Sequence, residues 1–578
     1  MEHRVVTVQF SRDGKREGLE LDPAREYLAR IDGGPQSTFV VPWTQNELEL
    51  LVERLRNMGE EKPTTQYLRQ VGMQLGSAIH QINGMEAALT QRGNEQITVY
   101  WQLDYPELAR IPWELATRNQ PPHHHLLDED ISFVRTVPAV TQDAPAQWPT
   151  GLNQSLRLLF IWGESAPDDV PHKTHRPALE SICEEYGIEF VAQEISSVSA
   201  LTDLCADSKS KPFHFVHILA HGAAKDGNWG LRLKDEIAEP EQIAKALRAG
   251  GKTPAIVTVA ACDSANDKDN SFGSVAYQLH AYGVPFVVAS QFRLRKSASN
   301  ISTAMVYEEL LKGGDLREMI KRVRLRLAPN NNEAWANEVV YSSYRYESLE
   351  ELAVIARQQG ALRRADTIVK KAGQAENAEK KAEFIAALDE ETERLRDLIV
   401  RLKKAGAAPP ALAETYGLLG SLLRRKALLR SAPPDDEDLR HACAYYQDGM
   451  RADANSHYCG INVVHLSLRT GDQEIADQYI PLVRFAALNQ IDRDYWAQAT
   501  AGELEVYAQN KRQASNHYRE FARAVEAATT DKGAVLRSLL SSKAQLDEII
   551  KVFADIEPIR TAAESAVDIL AAAIARNS

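Results

Sequence analysis

Lys211-Pro212-Phe213-His214-Phe215-Val216-His217-Ile218-Leu219-Ala220-His221-Gly222 and Ala255-Ile256-Val257-Thr258-Val259-Ala260-Ala261-Cys262-Asp263-Ser264 are the two stretches whose reading decides the fold. Each is a short apolar run, the pattern of a strand covered on both faces, that ends in a reactive side chain. Working outward, further strand-like runs lie at Val5–Phe10, Ile97–Leu103, Leu156–Trp162, Ile188–Gln193 and Pro285–Gln291. Between them the period changes to that of helices, at Arg176–Tyr186, Val198–Ala206, Glu239–Arg248, Phe272–Tyr282 and Ala298–Leu311. Strands alternating with helices at this spacing predict an α/β domain, a mainly parallel sheet with helices on both faces, up to about residue 345.

The chain has 578 residues, 44% hydrophobic and 25% charged, which predicts two to four globular domains. With 67 Lys and Arg against 80 Asp and Glu, its formal charge of -13 gives no global reason to hold nucleic acid. No apolar run reaches the ~18 residues of a membrane helix. The start, MEHRVVTVQFSRDGKREG, lacks the apolar segment of a signal peptide. Five cysteines (Cys183, Cys205, Cys262, Cys443, Cys459) without CxxC spacing suggest neither a metal site nor a disulfide framework, and a reducing cytoplasm is the expected location.

From about Ser348 the strand signal stops and helix formers dominate. Ala361–Lys404 reads as one or two exposed connecting helices, and the Pro-rich breaks at Ala408-Pro409-Pro410 and Ser431–Asp436 bracket a helix near Leu412–Leu428. A weak repeat follows. Tyr458-Cys459, Gly471-Asp472, Ala476 and Tyr479 are echoed by Tyr495-Trp496, Asn510-Lys511, Ala514 and Tyr518, with Tyr416, Ala442 and Tyr445 as a looser copy. An aromatic in one helix and a small residue in the next suits stacked helical hairpins, with an irregular bundle as the alternative.

Sites in open α/β sheets form at the carboxyl ends of strands. If the two opening stretches are parallel neighbours, His221 and Cys262, 41 residues apart, emerge side by side, with Glu239–Arg248 as the crossover helix. A thiol needs a base or a positive field to act as a nucleophile at neutral pH, and the imidazole supplies it. The backbone amides of Gly222 and Cys262 would face a developing oxyanion. The bland alternative is a buried small cysteine and a satisfied histidine.

These residues resemble the CHAT domain, a caspase-like cysteine peptidase domain of clan CD. The resemblance rests on His221-Gly222, Ala261-Cys262-Asp263-Ser264, Gly283-Val284-Pro285 and Val287-Val288-Ala289, and upstream on Pro106-Glu107-Leu108-Ala109-Arg110-Ile111-Pro112-Trp113-Glu114-Leu115. Ala265 stands where the family usually has glycine, and the closing strand is replaced by Trp335–Tyr341. The resemblance implies an N-terminal portion at residues 1–150 and a caspase-like catalytic portion at 151–345. A connector at 346–406 and a helical domain at 407–578 would follow. It also implies thiol peptidase chemistry without metal or cofactor: Cys262 attacks a peptide carbonyl and His221 manages the proton. The S1 walls would lie in the loops after Cys262 and Gln291. There Asp263, Asp267 and Asp269 favour a basic P1 residue, unless they are simply solvated acids, and Ser290, Gln291 and Phe292 would meet substrate backbone.

The C-terminal half resembles, less specifically, tetratricopeptide-like arrays and the TRAFs-binding type of helical region. It implies a bound protein activator or sensor beside the protein substrate, and an effector role in bacterial defence or signalling. A catalytically silent scaffold of the same fold is the competing expectation. His123-His124-His125 reads as a surface loop, and the basic run Arg317–Arg326 as the exposed stripe of one helix.

Overall fold

The structure, a computed structural model, describes residues 3–12, 25–56, 65–90, 96–117, 124–127, 131–138, 156–163, 172–186, 188–207, 212–225, 228–260, 273–291, 296–311, 316–330, 334–344, 346–374, 377–528 and 532–578. The chain divides into two compact units, the first built mainly from residues up to Ala356 and the second mainly from Arg357 onward.

The first unit is organised by one eleven-stranded sheet. Its strands in chain order are β1 (His3–Ser11), β2 (Glu26–Ile31), β3 (Ser37–Val40), β4 (Gln96–Gln102), β5 (Ile131–Thr136), β6 (Arg157–Trp162), β7 (Glu189–Glu194) and β8 (Phe215–Leu219). A separate small sheet takes β9 (His221–Lys225), β10 (Asn228–Arg232) and β11 (Ile237–Ala238), after which β12 (Ile256–Ala260), β13 (Phe286–Ser290) and β14 (Glu338–Ser342) return to the large one. The spatial order is β3-β2-β1-β4-β5-β14-β13-β12-β8-β6-β7. Only β1–β2, β2–β3 and β13–β14 pair antiparallel, so the sheet is mostly parallel, as the alternating pattern requires. The strands β8, β12 and β13 are buried at every position, which is why their sequences are continuous apolar runs.

Helices α1 (Gln45–Arg56), α2 (Thr65–His80), α3 (Met85–Thr90), α4 (His172–Glu185), α5 (Val198–Asp207), α6 (Pro240–Leu247), α7 (Gly273–Ala281), α8 (Lys296–Leu311) and α9 (Leu316–Asn330) belong to this unit. Each helix predicted between strands is present within a few residues of its expected bounds. The hairpin sheet β9–β11, inserted between β8 and its crossover helix α6, and the antiparallel β1–β2–β3 meander were not anticipated.

Two sequence expectations are corrected here. His125 is no surface loop residue: it is fully buried, its ring stacked on His80 of α2 with the two Nε2 atoms 3.2 Å apart, and His124 Nδ1 meets the Leu115 carbonyl at 2.8 Å. The segment can lie this close because Gly72 and Gly76, one turn apart on α2, have no Cβ to strike the Leu115 and Thr117 carbonyls. His123 lies outside the described residues. On α9, Arg322 is exposed and paired with Glu309 at 2.6 Å, but Arg324 is buried and donates to the Glu338 carbonyl at 2.7 Å, so the basic run is not wholly a solvated stripe.

The second unit is all helical: α10 (Tyr346–Gly373), α11 (Ala378–Ala405), α12 (Pro409–Leu429), α13 (Glu437–Ala452), α14 (His457–Thr470), α15 (Gln473–Gln490), α16 (Tyr495–Tyr507), α17 (Lys511–Ala528), α18 (Lys532–Val552) and α19 (Glu557–Asn577). The stretch expected as exposed connectors forms α10 and α11, which bury Ala361, Ala365, Leu388 and Leu395. From α12 on, consecutive helices pair two by two. The repeated small residues Ala442, Ala476 and Ala514 are all fully buried in the second helix of a pair. The turn at Gly471-Asp472 works as its residue types suggest. Gly471 takes a left-handed φ of 80° to end α14, and Asp472 caps α15 by accepting from the Ile475 amide at 3.2 Å.

Four of the first-position helices meet in a buried polar cluster. Arg424 of α12 pairs with Glu548 of α18 and donates to Asn462 of α14 at 2.9 Å. Arg469 of α14 reaches the same Glu548 at 2.8 Å, and Glu503 of α16 accepts from Tyr507 at 2.9 Å and from Gln545 at 3.0 Å. Burial pushes Glu503 up to about 7, whereas His465 and Arg424 outweigh burial at Glu548 and hold it well below the carboxylate range.

Close packing in this unit depends on glycine. A Cβ at Gly449 of α13 would sit 2.5 Å from Cys459 Sγ. Gly449→Val is therefore expected to destabilise the chain by about 1–3 kcal/mol, read as a lower urea midpoint followed by helical circular dichroism.

Candidate active site

The site is built at the carboxyl ends of β8 and β12, which are parallel neighbours in the register Phe215↔Ile256 through Leu219↔Ala260. Beyond the last pair, the Ala220 amide still reaches the Ala260 carbonyl at 3.4 Å. His221 stands two residues past Leu219, and Cys262 is two positions past Ala260 in sequence. Cys262, Asp263, Asp267 and Asp269 fall at 261–272, and Phe292 at 292–295, all outside the described residues.

His221 is 7% exposed and opens β9, opposite Arg232 of β10, with Gly222 opposite Leu231. The hairpin is fastened rather than free. The Lys234 and Asp235 amides donate to the Ile195 and Ser196 carbonyls at 3.1 and 2.9 Å, and the Glu236 carboxylate caps α5 by accepting from the Val198 amide. The close crossing over the end of β6 requires Gly163, because a Cβ there would run into the Arg232 carbonyl.

Under the strand ends lies a chain of polar groups that the sequence reading did not single out. His175 Nδ1 of α4 is 3.1 Å from His217 Nε2 of β8, and His217 Nδ1 is 2.6 Å from Thr258 Oγ1 of β12. Thr258 Oγ1 is 2.7 Å from the Tyr307 hydroxyl of α8, which donates to the Val216 carbonyl at 3.2 Å. At the far end, Ser299 Oγ lies 3.1 Å from His175 Nε2. Burial pushes His175 down to about 4 and His217 well below its ordinary range, so both rings are neutral at neutral pH. The only sequence signal was a polar residue four positions before His221 inside an apolar run.

The residues expected to meet substrate after β13 divide. Ser290 is buried, pairs with Glu338 across the sheet and hydrogen-bonds its carboxyl. Gln291 is corrected. Its side chain is fully buried, accepting from Arg135 at 2.8 Å and donating to the Arg110 and Ala109 carbonyls at 3.0 and 3.2 Å, while its amide donates to Asn337 at 2.7 Å. These bonds face the interior, so Gln291 positions the chain around β13 and leaves no donor for a substrate.

Arg135 of β5 is the centre of that arrangement. It forms a buried ion pair with Glu114, its Nε donating at 3.1 Å, and donates to the Ala109 and Ile111 carbonyls at 2.7 and 3.2 Å. Burial alone would lower the Arg135 pKa, but Glu114 and Tyr341 turn the shift upward. Among the described residues no group of three or more His, Cys, Asp or Glu side chains is arranged to hold a metal ion, and no helix is long and apolar enough to cross a membrane.

A family model described as CHAT domain matches residues 69–393, more than half of the chain, so the chain belongs to the CHAT-domain family. No curated protein matches it. The matched family accords with the large, mostly parallel, caspase-like sheet flanked by helices.

Two outcomes follow from the buried charges. Removing one partner of the inner ion pair, as in Arg135→Met, is expected to cost about 3–5 kcal/mol in urea unfolding, and Arg135→Met with Glu114→Leu to recover only part of it, because the Ala109 and Ile111 carbonyls and Gln291 still lack their donor. The second concerns His175, His214 and His280, which burial pushes to about 4. Their folded pKa values lie below the unfolded value of roughly 6.5, so the unfolded chain takes up protons that the folded chain refuses. Stability is complete above that value and falls as pH drops toward 4. The urea midpoint of the first unit should decline between about pH 6.5 and 5, and His175→Gln should flatten the decline.

Proposed function

We propose that this CHAT-domain protein is a regulated cysteine endopeptidase that cuts one or a few protein partners, with Cys262 as nucleophile and His221 as its proton-handling partner. The observation that carries this reading is the β8–β12 register. Leu219 pairs with Ala260, and each candidate catalytic residue follows its strand by the same two positions. Two adjacent parallel strands thus lead toward one edge of the sheet, where an imidazole can take a thiol proton or deliver one to a leaving amine.

In this mechanism the Cys262 thiolate attacks the scissile carbonyl and the tetrahedral oxyanion is met by the backbone amides of Gly222 and Cys262. Collapse expels the amine with a proton from His221, and water then releases the acyl-enzyme. His221 enters as a buried residue on a fastened hairpin, which limits its motion during transfer. A basic P1 residue would be favoured by Asp263, Asp267 and Asp269, and Phe292 would meet substrate backbone. The helical unit would bind the activator or sensor, in the manner of tetratricopeptide-like arrays, and the setting would be a cytoplasmic defence or signalling effector.

The competing reading is a scaffold that binds partners without turnover. The presence of both His221 and Cys262 favours the peptidase. The discriminating experiment compares wild type, Cys262→Ala and His221→Ala in host lysate, with new protein N-termini identified by mass spectrometry. Wild type alone should generate cleavages sharing one P1 residue, with either variant reducing them at least about a hundredfold. Identical patterns from all three proteins, with a candidate activator present, would leave the scaffold.

A further inference from the structure

We propose that His217 is a positioning residue of this site: by tying β8 to β12 and to α4, it holds the ends of the two strands at the separation that His221 and Cys262 require. The inference rests on the peptidase reading and names a residue that reading does not use.

Its place in the ladder is the first argument. His217 and Thr258 are registered partners on adjacent parallel strands, and each lies four residues before a candidate catalytic position. The backbone ladder runs on past this pair through Leu219↔Ala260 to the 3.4 Å Ala220–Ala260 bond. The 2.6 Å contact between His217 and Thr258 adds a side-chain tie between the same two strands close to their ends.

The second argument is the reach of the bond network. Thr258 Oγ1 lies 2.7 Å from the Tyr307 hydroxyl and 3.5 Å from the Val216 carbonyl, and Tyr307 donates to that carbonyl at 3.2 Å. On its other side His217 Nε2 is 3.1 Å from His175 Nδ1, whose Nε2 is 3.1 Å from Ser299 Oγ. Through His217, two strands are thus joined to two helices, α4 and α8.

The third argument is the surroundings. A cavity of about 20 Å³ is bounded by His217, Thr258, Ala260, Ser299, Ser302 and Glu338. The His217 ring also packs against Phe160, His175 and Tyr307, with ring centroids 5.4, 5.3 and 6.0 Å away. Packing and hydrogen bonds together fix the ring, and loss of the bonds loosens the hold on the strand ends.

Thiol reactivity tests the proposal without a known substrate. Iodoacetamide alkylation of Cys262 in the full chain is followed by peptide mass spectrometry, which scores the other four cysteines separately, with thermal melting in parallel. His221→Ala and His217→Phe are each expected to slow Cys262 alkylation at pH 7 on the order of tenfold, and Thr258→Val severalfold. His217→Gln, which keeps a donor and an acceptor, should regain most of the rate, with melting temperatures within about 5 °C of wild type. If His217→Phe and Thr258→Val both react at the wild-type rate while His221→Ala is slow, the positioning role is overturned and the peptidase reading stands. If His221→Ala is as fast as wild type, the His221–Cys262 pairing is absent and both fall together. Should His217→Phe fail to fold, Thr258→Val and His217→Gln decide the matter.

Discussion

The first unit depends on one guanidinium. The strand β14 pairs with β13 along its whole length but meets β5 in a single registered pair, Tyr341 with Arg135. A sheet of eleven strands joined there by so little backbone would part easily. What closes the seam is the Arg135 side chain, which binds Glu114, the Ala109 and Ile111 carbonyls and Gln291, and so gathers the turn-rich segment from Pro106 to Leu115, β5 and the end of β13 around one buried charge. A buried charge is stabilising only when its donors are used, and the three guanidinium nitrogens of Arg135 are all engaged.

Much of this was legible before any coordinates. The continuous apolar runs of β8, β12 and β13 announced strands covered on both faces, and the 41-residue spacing of His221 and Cys262 matched the register that the strands adopt. Less legible was what depends on long-range partners. The hairpin sheet β9–β11 is short and carries little alternation, so nothing local distinguished it from a loop. His217 looked like any histidine in a core strand, because its partners His175 and Tyr307 are brought to it by α4 and α8. Gln291 looked like a strand-end polar residue free to meet a ligand, and only the fold reveals that Arg135, 156 positions earlier, already holds it.

The candidate site thus combines two kinds of order. Of the catalytic candidates, His221 follows the end of β8 and opens β9, and Cys262 is two positions past the end of β12 in sequence. The residues that steady those ends are deeper in the sheet, neutral, and joined by hydrogen bonds rather than by charge. Such a division suits chemistry at an edge.

In the helical unit, the ion pair between Arg424 and Glu548 joins the first of the paired helices to the fourth pair. Linear repeat arrays are held by nearest-neighbour interfaces, and their ends fray independently of one another. A bond that skips from one end of the series to the other removes that independence. Loosening α18 withdraws the counter-charge from a buried arginine on α12, so damage at one terminus is felt at once at the other. The unit should accordingly melt as a single cooperative block, behaving thermodynamically as a closed domain.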